Sequence, residues 1–171
     1  MNLKEIIRVI PDFPKPGIRF IDITTLLKNR NAYKTLIDQM AMALEGKQID
    51  TVVGPEARGF VIGAPLAYAI NAGFVPVRKS GKLPAETIAY EYELEYGTDI
   101  LEIHKDAIKP GDKVVIVDDL LATGGTSLAT AKLVEKLGGE IIGIVFAIEL
   151  TFLNGREVLK DYPVTSIVQF S

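Results

Sequence analysis

The chain has 171 residues, of which 48% are hydrophobic and 24% are charged, and its formal net charge is -3. This length suits a single domain with one core, and the charge balance gives no basic excess of the kind that nucleic-acid or membrane binding requires. The absence of cysteine and the single histidine exclude disulfides, thiolate metal sites and histidine clusters. Neither a secretory signal nor an apolar run long enough to span a bilayer is present, so we expect a cytoplasmic protein.

The first half of the chain predicts two helices and several short strands. Apolar residues recur every three or four positions from Asn31 to Glu45, which indicates an amphipathic helix. A strand at 51–54 follows it, and then a second helix at 60–70 and an apolar segment at 74–77. Residues 87–94 alternate between apolar and polar and predict one arm of a hairpin.

The second half predicts a strand, a helix and a strand. Lys109–Asp112 is a turn sequence, and the β-branched run 114–117 behind it is typical of a strand buried on both faces. A helix is predicted at 127–137, where Gly138 and Gly139 end it, and a buried strand at 141–148. This βαβ order predicts an α/β fold with a mainly parallel central sheet flanked by helices.

The segment between the central strand and its helix has the composition of a phosphate-binding loop. Gly124 and Gly125 allow close approach of a ligand, and the start of a helix offers free amide groups. Hydroxyl groups can add further bonds, from Thr123, Thr126 and Ser127. The loop has neither the lysine of a nucleotide P-loop nor the dinucleotide fingerprint. Asp118 and Asp119 would repel a bare phosphate, so the pair indicates a ligand with hydroxyls or a shared magnesium ion, as in a phosphorylated sugar.

Taken alone, the same residues could simply cap a helix and form a turn. The full string VVIVDDLLATGGTS, however, resembles the phosphoribosyl pyrophosphate (PRPP) signature of type I phosphoribosyltransferases, and DDLLATGGT is the form found in their adenine-using members. Further similar segments run from PDFPKPGIRFIDIT to IELTFLNGRE. The resemblance implies the type I phosphoribosyltransferase fold as one domain over 1–171. In it, an N-terminal arm at 1–25 contributes to a purine-binding hood, and 80–100 is a flexible catalytic loop.

The resemblance also implies a role for each matching residue. The ribose and 5-phosphate are expected at Asp118, Asp119, Ala122, Thr123, Gly124, Gly125 and Thr126. Pyrophosphate is expected at Glu56, Ala57, Arg58, Arg78, Lys79 and Lys82. A cis peptide is expected between Glu56 and Ala57, and Arg78 could reach across a dimer interface. Without the resemblance, an anion-binding loop and a loop with a solvent-exposed Arg58 would be equally supported, and the three cations at 78–82 would be read as a solvated face.

Adenine is expected at Arg19, Phe20 and Leu120, with the base stacked between Phe20 and Leu120. Many members have arginine where this chain has Ile21, so a contact from that arginine is not carried over. Glu95 is implied as the catalytic carboxyl at the N7 edge of the purine. On its own, Phe20 would be assigned to the core and Glu95 to the surface.

The resemblance therefore implies transfer of the phosphoribosyl group of PRPP to adenine, with Mg²⁺ bound through PRPP and a homodimeric enzyme. Two alternatives remain open at this point. The acceptor could be another base, such as hypoxanthine or xanthine, or the fold could serve a PRPP-sensing regulator. The second alternative is disfavoured because the chain has neither the length nor the basic helix of a DNA-binding domain.

Overall fold

The computed structural model describes residues 1–94 and 96–171. The first half of the chain contains α1 (Leu3–Ile6), β1 (Arg8–Ile10), β2 (Phe20–Asp22), α2 (Thr24–Leu27), α3 (Arg30–Ala43), β3 (Thr51–Pro55), α4 (Arg58–Ala69) and β4 (Gly73–Lys79). The second half contains β5 (Thr87–Glu93), β6 (Thr98–His104), β7 (Lys113–Leu121), α5 (Gly125–Lys136), β8 (Glu140–Leu150), a short 3-10 helix (Thr151–Leu153), α6 (Gly155–Val158) and β9 (Val164–Phe170).

Seven of the strands form one sheet in the order β5-β6-β4-β3-β7-β8-β9. The pairs among β4, β3, β7, β8 and β9 are parallel, and β5 and β6 add an antiparallel hairpin at one edge. The remaining two strands, β1 and β2, form a separate antiparallel ribbon. The predicted α/β fold with a mainly parallel central sheet is confirmed. In the part of the chain that the structure describes, no helix is both long and apolar enough to cross a membrane.

The core lies on both faces of this sheet because the central strands are apolar on both sides. On β7, Val115 and Val117 face a cluster that includes α3 and α4. Val114 and Ile116 face a second cluster, which is formed with α5. The predicted buried strand, and the helices on either side of the sheet, are therefore confirmed, although several ends differ by a few residues.

The central strand is longer than predicted. We expected residues 118–121 to belong to a loop, but pairing with β8 continues as far as Leu121, which lies opposite Glu149. The parallel hydrogen bonds to a neighbouring buried strand override the polarity of Asp118 and Asp119. The acidic pair and Leu120 therefore lie among the last residues of β7, and 122–124 connect this strand to α5.

The chain connections change direction between β3 and β7. From β3 the chain passes through α4 to β4 on one side, whereas from β7 it passes through α5 to β8 on the other side. The carboxyl ends of two neighbouring parallel strands thus open onto a crevice between diverging loops. In open α/β sheets ligands bind at this kind of switch point.

Candidate active site

The loop after β7 forms a small cleft at the start of α5. The cleft has a volume of about 90 Å³ and is lined by residues 118 and 120–127. Gly124 has a φ of 92°, in the left-handed region that favours glycine, and it caps α5 without a side-chain bond. The first amide groups of α5 are consequently left facing the cleft, as an anion site at a helix N-terminus requires.

The two carboxylates at the end of β7 are in different surroundings. Asp118 retains some accessible surface and its Oδ1 accepts a hydrogen bond of 2.8 Å from the amide of Asp119. Burial of its carboxyl and the neighbouring charge of Asp119 raise the pKa of Asp118 well above its usual value. Asp119 is buried, and its Oδ2 lies 2.6 Å from Nε of Arg58. The pair therefore carries less negative charge than two free aspartates would.

Arg58 comes from the neighbouring loop, between β3 and α4. As predicted, this loop follows a strand, opens a helix and contains a cis peptide between Glu56 and Ala57. The negative charge of Asp119 raises the pKa of Arg58. The side chain of Arg58 is 57% exposed, so its guanidinium faces the crevice while it is bound to Asp119. Arg58 thus joins the two loops that open onto the switch point.

The basic cluster at the end of β4 is gathered around Glu56. The carboxylate of Glu56 accepts a hydrogen bond from Nζ of Lys82 and another, of 2.7 Å, from the amide of Lys79. Nε of Arg78 lies 3.5 Å from the same carboxylate and has no hydrogen-bond partner among the described residues. Burial alone would raise the pKa of Glu56, but the bonds from Lys82 and Lys79 lower it below its usual value. The cations predicted for pyrophosphate are thus brought together, and Glu56 acts as their counterion.

Lys79, the remaining cation of this cluster, also contacts the β5–β6 hairpin through its side chain. Nζ of Lys79 lies 3.5 Å from Oδ2 of Asp99, near the start of β6. The β4 end is thereby connected to the β5–β6 hairpin as well as to the loop that carries Glu56.

The predicted adenine residues lie on two different elements. The sequence Gly17-Ile18-Arg19 predicts that Phe20 follows in a loop, but Phe20 begins β2, because it pairs with Ile10 of β1. Its ring packs edge to face on Phe13, with 5.2 Å between the ring centroids. Ile21 packs against the same core cluster as Leu120. An apolar residue suits that position, because alternation along β2 turns it to the opposite side from Phe20.

Arg19 donates a hydrogen bond of 3.0 Å from Nη2 to the carbonyl oxygen of Ser171. It therefore ties the segment before β2 to the last residue of the chain. In this structure the guanidinium is engaged there, so its predicted contact with adenine stays a prediction.

The segment predicted to be a flexible catalytic loop, 80–100, contains most of the β5–β6 hairpin. Glu102 holds its base by accepting bonds of 2.6 Å from the amide of Gly81 and from the hydroxyl of Thr87. On β5, the hydroxyl of Tyr92 lies 3.4 Å from that of Thr126, in the first turn of α5. The hairpin therefore reaches the start of α5, beside the phosphate cleft. Glu95, the predicted catalytic residue, lies outside the described residues, and the mobility of the segment stays a prediction.

The single histidine is not part of this site. His104 ends β6, is half-buried, and its Nε2 accepts a bond of 3.3 Å from the amide of Ala85. This bond links the end of β6 to the segment that precedes β5.

Residues 22–170 match the phosphoribosyl transferase domain family. The chain belongs to this family. The phosphoribosyltransferase is 66% identical over 170 residues to the adenine phosphoribosyltransferase of Alkaliphilus metalliredigens, with 99% of this chain and 100% of the relative covered. The adenine phosphoribosyltransferase of Thermoanaerobacter pseudethanolicus, whose crystal structure is known, has a sequence 62% identical to that of this chain. The superposition of the two structures covers 98% of each chain and has a TM-score of 0.95.

A more distant solved structure contains ligands. The adenine phosphoribosyltransferase of Saccharomyces cerevisiae was solved as a complex with an imino-altritol bisphosphate and adenine. It is 45% identical to this phosphoribosyltransferase, covers 95% of this chain and 94% of its own, and has a TM-score of 0.91.

Two contacts of the site were not anticipated from sequence. The link between Arg58 and Asp119 joins residues 61 positions apart, and both were assigned to ligands rather than to each other. Tyr92 was not singled out at all, because a tyrosine in an alternating stretch has no distinguishing signal.

Proposed function

We propose that this phosphoribosyltransferase transfers the 5-phosphoribosyl group of PRPP to adenine, giving AMP and pyrophosphate. The observation that carries the proposal is the pair of loops at the β3/β7 switch point. One starts a helix beside an acidic pair, and the other presents Arg58 next to a cluster of cations. A ligand with a phosphate at one end, hydroxyls in the middle and a pyrophosphate at the other end fits this order of charges.

The loop after β7 would hold the 5-phosphate and the ribose. The amides and hydroxyls of residues 123–126 suit the phosphate, because a helix N-terminus favours negative charge. Asp118 and Asp119 suit the ribose hydroxyls, which can donate hydrogen bonds to carboxylates. The raised pKa of Asp118 adds an O–H donor when the carboxyl is protonated.

The loop after β3 and the end of β4 would hold the leaving pyrophosphate. Arg58, Arg78, Lys79 and Lys82 supply the positive charge, with backbone amides at Ala57. The carboxylate of Glu56 accepts bonds from Lys79 and Lys82, and would be the counterion that pyrophosphate displaces from these cations. Charge stabilisation of the leaving group is the largest demand of this reaction on the protein.

Adenine would lie between Phe20 and Leu120, with Arg19 nearby, as the resemblance implies. Attack by N9 of the base on C1 of the ribose forms the new bond, while the bond from C1 to the pyrophosphate oxygen breaks. The transition state resembles an oxocarbenium ion. The carboxyl of Glu95 would share the proton at N7 and so favour attack by N9.

Mg²⁺ is the implied cofactor, and the residues present fit an ion that is shared with the substrate. In the described part of the chain, no cluster of three or more acidic or histidine side chains could hold a metal alone. Mg²⁺ commonly takes one or two carboxylates together with phosphate oxygens, which Asp118 and Asp119 could supply beside PRPP. When bound, the ion would neutralise charge that develops on the pyrophosphate.

The hairpin contributes by excluding water from the reacting carbon. Tyr92 on β5 reaches Thr126 at the start of α5, so this strand would cover one side of the crevice. Exclusion of water protects PRPP from hydrolysis and strengthens the electrostatic interactions in the site. A homodimer and a cytoplasmic location belong to the same proposal, and sedimentation of the purified protein and cell fractionation test them.

Pyrophosphate release from PRPP and Mg²⁺ tests the proposal, with adenine, guanine, hypoxanthine and xanthine compared in parallel. We expect release with adenine far above that with the other bases. Release with hypoxanthine or xanthine instead would assign a different acceptor. No release with any purine, together with measurable PRPP binding, would favour a PRPP-sensing protein.

A further inference from the structure

A short turn after β8 packs directly against the phosphate loop. The Cβ that an alanine would add at Gly155 would lie 2.6 Å from the carbonyl oxygen of Ala122 and 2.7 Å from Cδ1 of Leu121. A Cβ at Gly124 would lie 2.9 Å from the carbonyl oxygen of Gly155 and 3.2 Å from Cβ of Val158. The backbones of the turn and the loop are therefore in contact, so a shift in the turn must move the loop.

One ion pair holds this turn. Glu149, at the end of β8, is buried and accepts two bonds from Arg156, 2.8 Å from Nε to Oε1 and 2.9 Å from Nη2 to Oε2. Arg156 also donates to the carbonyl oxygen of Val164, and the hydroxyl of Ser166 donates to Glu149. The hydrogen bonds from Arg156 lower the pKa of Glu149 below its usual value, so the pair stays charged at neutral pH.

The turn depends on this pair because its own helical structure is very short. The helix α6 contains only Gly155–Val158, and isolated helices of this length are unstable in water. The bidentate geometry of the arginine fixes both the distance and the plane of the contact. The pair also lies close to the loop, since Glu149 is the neighbour of Leu121 in the sheet register.

We propose that Glu149 and Arg156 are positioning residues for the 5-phosphate loop: they fix the 155–158 turn, which in turn supports residues 122–124 from behind. The proposal rests on the proposed function in one respect, that the ligand of this loop is the phosphate of PRPP or AMP. Neither side chain needs to touch the substrate.

The test compares ligands that use the two loops of the site. The Arg156→Lys variant keeps the positive charge but loses the bidentate contact with Glu149 and the bond to Val164. The Glu149→Gln variant loses the negative charge but keeps the size of the side chain. We expect KM for PRPP and Kd for AMP to rise about tenfold or more, because small displacements of a binding loop are costly. Kd for pyrophosphate alone, measured with Mg²⁺, should remain within about twofold of the parent, because its cations lie on other elements.

A control separates positioning from loss of stability. Ile37→Val removes a buried methyl group from α3, a separate element from the turn, and should lower the thermal midpoint without changing either ligand constant. Gly155→Ala leaves the ion pair intact but presses on the loop directly, so it should reproduce the selective loss of PRPP and AMP binding. If the ion-pair variants fail to fold, Gly155→Ala and Ser166→Ala provide the same comparison.

Unchanged PRPP and AMP constants in the folded variants would overturn the proposal, as would equal losses for AMP and pyrophosphate. Failure of the proposed function gives a different result, because the parent protein would then neither bind AMP nor release pyrophosphate from PRPP.

Discussion

Glu56 is a carboxylate at the centre of a cluster of cations that is expected to bind pyrophosphate. It accepts bonds from Lys79 and Lys82 and lies beside Arg78, so it competes with an incoming anion for the same donors. The cluster is half-exposed, and an ion pair in such a position contributes about 0.5–1 kcal/mol. Glu56 should therefore weaken pyrophosphate binding and favour release of the product.

Glu56→Gln should lower the inhibition constant of pyrophosphate against PRPP about two- to fivefold, which is the effect of that free energy on an equilibrium constant. Product-inhibition kinetics measure it directly. Glu86→Gln is the matched control, because Glu86 forms an exposed pair with Lys105 away from the crevice. Weaker pyrophosphate binding in Glu56→Gln would show instead that Glu56 is needed to order the cations.

Glu95 is the residue for which resemblance, rather than geometry, supplies the role. Glu95→Ala should lower kcat by about 10²- to 10⁴-fold, the usual range for loss of a proton-sharing group, with a modest change in KM for PRPP. Steady-state kinetics with adenine measure both constants. Glu91→Ala, which removes an exposed carboxylate on β5, should retain the parent kcat. Equal kcat in the Glu95 variant and the parent would remove Glu95 from the mechanism.

Residue types were easier to predict than residue partners. The acidic pair and the glycines indicated a ligand with phosphate and hydroxyl groups, because each of these residue types has a distinct chemistry. The pairing of Asp119 with Arg58 could not be predicted, since it depends on the order of β3 and β7 in the sheet. Glu149 and Arg156 lay in a segment that matched the family, but nothing in their spacing indicated a bidentate pair seven positions apart.

Among the elements, the β1–β2 ribbon depends on one aspartate. Asp22 accepts bonds from the hydroxyl and amide of Thr24 and from Arg8, and these bonds lower its pKa from 3.8 to about 2. A carboxylate with a lowered pKa in the folded state stabilises the fold above its unfolded pKa and loses that contribution as the pH falls. The ribbon that carries Phe20 should therefore weaken as the pH falls from 3.8 towards 2.

Asp22→Asn should reduce the slope of unfolding free energy against pH in that acidic window, while lowering stability at neutral pH by about 1 kcal/mol. Urea unfolding at a series of pH values measures the slope. Asp106→Asn serves as the control, because Asp106 is exposed in the turn after β6. An unchanged slope in Asp22→Asn would show that other carboxylates determine acid stability.

Elements with a clear periodic or continuous pattern of apolar residues were predicted from the sequence. Elements that depend on pairing with neighbouring strands were not. The predicted helix at 31–45 and strand at 114–117 correspond to α3 and β7, because the spacing of apolar residues within each segment is enough to indicate the element. The strands β6 and β9 were not predicted, since their mixed residues become strands only through their neighbours in the sheet. The extension of β7 through the acidic pair has the same cause.

In the molecule as a whole, stability is concentrated in the centre of the sheet. Phe146 on β8 is fully buried among residues of β7 and α5. Phe146→Ala should lower the free energy of unfolding by about 3–5 kcal/mol, through lost burial and the cavity left behind. Denaturant unfolding tests it against Met42→Ala, an exposed residue of α3 that should change stability by less than about 0.5 kcal/mol. A small effect at Phe146 would mean that the core collapses to fill the space.

The bond between Arg58 and Asp119 has a consequence for the order of events in the crevice. We propose that each partner binds a different part of PRPP, so a ribose hydroxyl bound at Asp119 would release Arg58 towards the pyrophosphate. By thermodynamic linkage, occupation of either half of the crevice must then change the affinity of the other half by the same factor. After transfer, departure of pyrophosphate would allow Arg58 to compete again for Asp119 and so loosen the nucleotide, which couples the release of the first product to that of the second.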